Sequence, residues 1–319
     1  MIDLSKFSNV PWVNDRINFL TIHGSHAYGL NTPTSDIDVK GFVIPPKEYF
    51  LGYLNRFEQL ESHEPDMVVY EIRKFFQLAS DCNPNIIEIL WVDESMIQRI
   101  DDFGKKVLEI RDHFLSQKAR HTFSGYAIAQ LKRIKTHRKW LLDPPKGKPV
   151  RTDFGLPERT VISRDMMGAI QAVLDAGGSP AQYGPNVMQA YEKERAYHNA
   201  LVSWQQYENW KKTRNPARAE LEAEHGYDCK HAMHLVRLMR MCREILMTGE
   251  VIVKRPDREE LLAIRNGAWE YDQLLEWAER QDGELEEIAK SSIILPHSPN
   301  RKFLDEQCRE LVEACNWPS

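Results

Sequence analysis

Apolar and polar positions alternate in short bursts along the first hundred residues. "INFLTIHG" (17–24) is a continuous apolar run that stops at a glycine, the pattern of a buried strand. "DIDVKGFVI" (36–44) predicts a second strand, ended by Pro45-Pro46. "RFEQLES" (56–62) and "DMVVYEIR" (66–73) are separated by "HEP" and predict a hairpin or paired strands. "KFFQLASDC" then turns helical, and Asn83-Pro84 breaks it before "NIIEILWV". After about residue 95 the period becomes 3.6, almost unbroken up to Pro144-Pro145. A Pro/Gly-rich loop covers 143–157, followed by helices over 165–176, 186–214 and 230–249, the last closed by a glycine cap. "VIVKRP" reads as a short strand or extended turn. Two more helices and a last one over 303–315 complete the chain. This is a small mixed α/β unit followed by a helical part, with the division expected at 1–115 and 116–319.

In a strand, residues i and i+2 face the same side, so Asp36 and Asp38 project together. Like charges held that close repel by several kcal/mol at low effective dielectric, so the pair needs a cation or water between its members. An isolated D-x-D is commonly an exposed surface pair. Here, however, Gly24-Ser25 follows a strand directly, a short loop away. Glycine lets backbone approach a ligand, exposed N–H groups can hold phosphate oxygens, and the Ser25 hydroxyl adds a donor. A phosphate holder beside paired carboxylates is the layout for a metal–triphosphate complex, because Mg²⁺ prefers one or two carboxylates plus phosphate oxygens and water. Tyr28 and Gly29 are expected to shape the loop behind Ser25.

Composition changes this picture little. The 319 residues are 42% hydrophobic and 28% charged, as in an ordinary globular protein of one large domain or two. No apolar run approaches the roughly 18 residues of a membrane span, and "MIDLSKFSNVPWVNDR" lacks the pattern of a secretory signal. The expectation is a cytoplasmic protein with no membrane partner. Five scattered cysteines without a C-x-x-C pair argue against a disulfide framework or a zinc ribbon. His225, Cys229, His231 and His234 fit no standard structural zinc spacing. The net charge of −5 gives no global nucleic-acid footprint, although an acidic protein can hold a local basic groove.

"GSHAYGLNTPTSDIDVKG" resembles the G-S-x(n)-D-x-D signature of the DNA polymerase β-like nucleotidyltransferase superfamily. More narrowly, it resembles the RlaP-type family of RNA-repair nucleotidyltransferases of bacteria and phages. "VVYEIRKFFQLASDCNPNIIEIL", "GYAIAQLKRI" and "GYDCKHAMHLVRL … TGEVIVKRPDREELLAIRNG" resemble further blocks of that family, in the same order. The resemblance implies an α+β fold, with a polymerase β-like catalytic domain (a mixed sheet with flanking helices) before a mainly helical one. It also implies a third carboxylate on a neighbouring strand. Glu71, facing opposite to Val68, Tyr70 and Ile72 and standing where the family often carries an acid, is the expected residue, with Asp66 its rival.

The implied mechanism has Asp36, Asp38 and Glu71 holding Mg²⁺ or Mn²⁺ on an NTP, and a hydroxyl attacking the α-phosphate as pyrophosphate leaves. An RNA end, from tRNA or a broken RNA, is the implied acceptor. A protein or small-molecule hydroxyl is the alternative within enzymes. A non-catalytic NTP-binding or toxin-neutralising module is the rival from another class.

Three weaker signals complete the list. Lys230, His234, Arg237 and Met241 share one helical face, with Arg240 and Arg243 on adjoining ones. Such a strip is either a solvated basic face or a set of nucleotide contacts; with the family resemblance, Lys230, His234 and Arg237 are expected at the nucleotide. Lys74 faces the triphosphate or simply opens a helix. The basic stretch 132–151, including Arg138, Lys139 and Lys146 with Trp140 inside it, suits single-stranded nucleic acid or a plain surface helix and loop.

Overall fold

The structure is a computed structural model that describes residue 10, residues 12–64 and residues 66–315. Most of the "MIDLSKFSNVPWVNDR" stretch therefore lies outside the described residues, as does Pro65 in the hairpin turn. Five strands form one mixed sheet in the order β3-β4-β2-β1-β5. They are β1 (Ile17–His23), β2 (Asp38–Val43), β3 (Gln59–His63), β4 (Asp66–Glu71) and β5 (Ile97–Ile100). β1 runs antiparallel to β2 and β5, β3 antiparallel to β4, and β2 parallel to β4.

The α+β class and the first four strands agree with the sequence pattern. Two details differ. β2 begins at Asp38 rather than Asp36, because its partner β1 ends at His23, opposite Asp38, and the chain leaves the sheet at Gly24. The four-residue β5 lies inside a stretch that reads as helix; it pairs along the free edge of β1. Gly41 matters to the β1–β2 contact, since an added Cβ would come within 2.0 Å of the Phe19 carbonyl oxygen.

Alternation sends Val39, Val43, Met67, Val69 and Leu20 into a core on one side of the sheet, together with Val13 and Ile17. On the other side Phe42 stacks on Phe19 at 5.6 Å and meets Phe75 of α1 (Ile72–Ser80) at 4.6 Å between ring centres. Each such fully buried ring contributes about 1.5–3 kcal/mol by leaving water. α2 (Pro84–Leu90) follows, started by the Asn83 side chain accepting the Asn85 N–H, with Pro84 in the first turn. Further on come α3 (Lys118–Leu142), α4 (Pro185–Thr213), α5 (Cys229–Thr248), α6 (Arg258–Arg265), α7 (Tyr271–Ser291) and α8 (Arg301–Ala314). α5 ends at Gly249 in the left-handed conformation, the expected glycine cap, and packs against α6 and α7. Residues 250–255 form no strand but an extended segment that buries Val251, Val253 and Arg255.

The chain divides into two compact units, 1–134 together with 228–319, and 135–227. This grouping differs from the expected division at 1–115 and 116–319, since the C-terminal helices fall in the same unit as the sheet. The 135–227 unit has its own core of Ile162, Ile170 and Tyr191. All five cysteines are buried free thiols. Among the described residues no helix is long and apolar enough to cross a membrane.

Candidate active site

β1 delivers His23 to the edge of the sheet, and the chain turns away at Gly24 with φ +64°. One helical turn, Gly24–Ala27, follows. At Gly24 an added Cβ would lie 1.8 Å from Oδ2 of Asp38, so the glycine backbone rests directly against that carboxylate. Gly24 and Asp38, fourteen residues apart in the sequence, are thus in direct contact. β4 starts alongside β2, with Asp66 the register partner of Asp38. Burial, and then the charge and hydrogen bond of Asp66, raise the Asp38 carboxyl above its ordinary value; Lys40 and Lys230 pull the other way. Two carboxylates this close share a proton or a cation. As a set of hard oxygen donors they fit Mg²⁺ or Mn²⁺.

Asp36 lies on the exposed stretch before β2, so strand alternation does not carry it to the face of Asp38. Glu71 is not brought to the pair at all. In the parallel register it lies beside Val43, five residues beyond Asp66, or about 16 Å along the strand at about 3.3 Å per residue. Its side chain is 4% exposed and caps α1, accepting the N–H groups of Arg73 and Lys74 at 3.1 and 3.2 Å and Arg73 Nε at 2.9 Å. Lys74 is at this far end too, paired with Glu58 at 2.9 Å. The residue beside Asp38 is the rival, Asp66. A signal for it exists in the sequence: two strands lying parallel bring their starts together, and both β2 and β4 start with an aspartate.

Asp38, Lys40 and Phe42 share a face, with His23, Thr21 and Phe19 as their partners on β1. Lys40, unremarked in the sequence though inside the motif, lies half-buried with Nζ 3.4 Å from Asn85 Oδ1. Burial lowers its ammonium pKa, opposed by Glu88 and Asp38. Also missed was Glu88 on α2, which the structure pairs with Arg237, the residue expected at the nucleotide. Arg237 is no surface contact: it is 5% exposed, donates from Nη1 to Glu88 Oε1 at 2.6 Å, and stacks 3.8 Å from the centre of the Tyr28 ring. Burial alone would raise the Glu88 carboxyl; Arg237 first, then His23 and Tyr28, outweigh it and hold the group below its ordinary range. His23 Nε2 lies 3.4 Å from Glu88 Oε2 without an aligned hydrogen bond, and burial holds its imidazole down at about 4, neutral at pH 7.

The rest of the basic strip is largely neutralised. Arg240 pairs with Asp257 and Glu260, and Arg243 with Glu284. Lys230, exposed in the first turn of α5, acts electrostatically on Asp38, and His234 lies half-buried one turn on. The loop behind Ser25 is gripped from the C-terminal side. The Arg255 N–H donates to the Tyr28 carbonyl at 3.0 Å, Arg258 Nε to the Gly29 carbonyl at 2.6 Å, and Arg265 Nη1 to the Leu30 carbonyl at 3.3 Å.

In the 135–227 unit Lys139 and Lys146 are exposed, whereas Arg138 Nη1 donates to the Gly226 carbonyl at 2.8 Å. Trp140 is 7% exposed and packs among His137, Tyr207 and Trp210, so its ring is not offered to a base.

A mixed sheet whose first strand runs into a Gly-Ser turn, with aspartates at the starts of the parallel strands β2 and β4, is consistent with a polymerase β-like domain. Residues 2–142 match the family model of RlaP, the RNA repair pathway DNA polymerase beta family, which supports the family read from the motif. An uncharacterized 38.9 kDa protein of Enterobacteria phage T4, from the nrdC-mobD intergenic region, is 28% identical over 119 residues, 34% of this chain and 35% of that protein. The match thus spans about a third of the relative's length. No solved structure matches.

Proposed function

We propose that this protein is a metal-dependent nucleotidyltransferase that moves NMP from an NTP to a hydroxyl, with an RNA end as acceptor and pyrophosphate as the other product. The observation that carries this reading is Asp38 held between the Gly24 backbone and Asp66. Asp38 and Asp66, with Asp36 on the adjoining chain, would hold the divalent ion. When bound, that ion neutralises phosphate charge and lowers the pKa of a coordinated hydroxyl. The residues of the chain do the positioning. The backbone of the Gly24–Ala27 turn and the Ser25 hydroxyl receive phosphate oxygens. Lys230 supplies a positive charge on the solvent side of Asp38, and His234 extends that surface. Asp66 is suited to accept the proton of the attacking hydroxyl as the phosphorus–oxygen bond forms. Most of the rate gain in such a site comes from orientation and charge complementarity.

The RNA acceptor is supported by the family description and by the exposed Lys139 and Lys146. Incubating the protein with each α-labelled NTP, Mg²⁺ and separate pools of RNA, protein and small molecules tests the reading. Label is expected in RNA. Label in protein or small molecules instead would move the acceptor, and no label in any pool would refute transfer.

A further inference from the structure

Behind the carboxylates lies a buried triangle that the proposed reaction does not use. Its members come from three separate stretches: Tyr28 from the loop after the Gly-Ser turn, Glu88 from α2 and Arg237 from α5. Glu88 is 1% exposed, and both of its oxygens are engaged, Oε1 by Arg237 at 2.6 Å and Oε2 by the Tyr28 hydroxyl at 2.5 Å. Arg237 covers the face of the same tyrosine. An ion pair buried this deeply is a poor device for stability alone, because well-packed apolar residues of similar volume are often as good or better. What it supplies here is geometry. The Tyr28 N–H donates to the Gly24 carbonyl at 3.1 Å, so the triangle holds the turn that rests on Asp38. Arg237 lies two helical turns from Lys230 on α5, so the same bond ties the helix bearing Lys230 to α2. His23, the register partner of Asp38, is 3.4 Å from Glu88.

We infer that Tyr28, Glu88 and Arg237 are positioning residues for the nucleotide: they fix the Gly24–Ser25 turn and Lys230 relative to Asp38 before the triphosphate arrives. The inference rests on the nucleotidyltransferase reading. Three proteins test it: wild type, the double variant Glu88→Met with Arg237→Met, and Tyr28→Phe. Each is melted and then titrated calorimetrically with ATP, CTP, GTP and UTP in Mg²⁺. The double variant removes both charges together but takes the acceptor from the buried Tyr28 hydroxyl, so it should fold and melt a few degrees below wild type. With the turn released, its affinity for the preferred nucleotide should fall about tenfold or more, and KM should rise more than kcat falls. Tyr28→Phe keeps the ring under Arg237 and loses only the hydroxyl, so it should show a smaller loss in the same direction.

A double variant that folds and keeps wild-type affinity overturns the inference and leaves a purely structural pair. Should the double variant fail to fold, Tyr28→Phe decides, and unchanged affinity there overturns the inference. A wild type that binds none of the four nucleotides refutes the functional reading itself, and the inference with it.

Discussion

Replacing Asp66 by asparagine separates the metal reading from every structural alternative. The substitution keeps the shape of the side chain and removes one of two carboxylates that are register partners on neighbouring strands. Two unit charges about 4 Å apart interact by about 4 kcal/mol at an effective dielectric of 20. Asp66 is exposed and Asp38 only half-buried, so water screens the pair and the repulsion relieved in the metal-free protein comes down to about 1 kcal/mol. Metal-free Asp66→Asn should therefore melt at the wild-type temperature or a few degrees above it. Its binding of Mn²⁺, followed by electron paramagnetic resonance, should collapse, and transfer should fall by about 10²–10³. Glu71→Gln is the matched control. It weakens the cap of α1 and the tie to Arg73, costing about 1 kcal/mol of stability, and leaves Mn²⁺ binding intact. The reverse pattern, with Mn²⁺ binding kept in Asp66→Asn and lost in Glu71→Gln, would refute the register argument.

Gly24→Ala combines a left-handed backbone with a Cβ driven into Asp38 Oδ2, so it should lose more than tenfold in Mn²⁺ affinity and melt lower; unchanged binding would mean that the turn and the carboxylate are not in contact. His23 has its folded pKa lowered from 6.5 to about 4, so as pH falls below 6.5 the unfolded chain takes a proton that the folded one refuses. Stability should drop by up to about 3 kcal/mol toward pH 4, and His23→Asn should flatten the pH 7 to pH 5 part of that slope in urea titrations. Changing Arg138, Lys139 and Lys146 to alanine should weaken RNA binding and reduce its salt dependence by roughly 0.7 log unit per lost phosphate contact, with Lys139 and Lys146 carrying the effect because Arg138 is committed to Gly226. NTP affinity should not change in that triple variant.

The motif was legible because its chemistry is local: Gly24, Ser25 and Asp38 lie within one strand–turn–strand passage, and their spacing survives into the fold. Glu71 and Asp66 could not be ranked from alternation alone. Alternation puts these two residues, five apart, on opposite faces of β4, but it does not say which face and which end of β4 meet Asp38, a register set by long-range pairing. Arg237 shows the same limit on a helix. The i, i+4, i+7 spacing puts Lys230, His234 and Arg237 on one face, but that face runs from solvent into the interior. The partner that buries Arg237 is 149 residues earlier in the chain. β5 was hidden because four residues with an apolar residue at each end fit a helix as well as an edge strand. Lys40 stood inside the motif, two residues after Asp38 on the same face, and could have been read.

The grip of Arg255, Arg258 and Arg265 on the Tyr28–Leu30 loop bears on the chain's own synthesis. The Arg258–Gly29 bond joins residues 229 apart. At roughly 5–20 residues per second, the ribosome makes the Gly-Ser turn roughly 10–45 seconds before the arginines that grip it exist. The nascent sheet therefore emerges with its Gly-Ser loop unfastened, and under the proposed function the site would become competent only when the C-terminal helices fold back. A chain cut short before residue 255 carries the whole signature and lacks its fastening, so an interrupted product would hold an inert centre rather than an unregulated one.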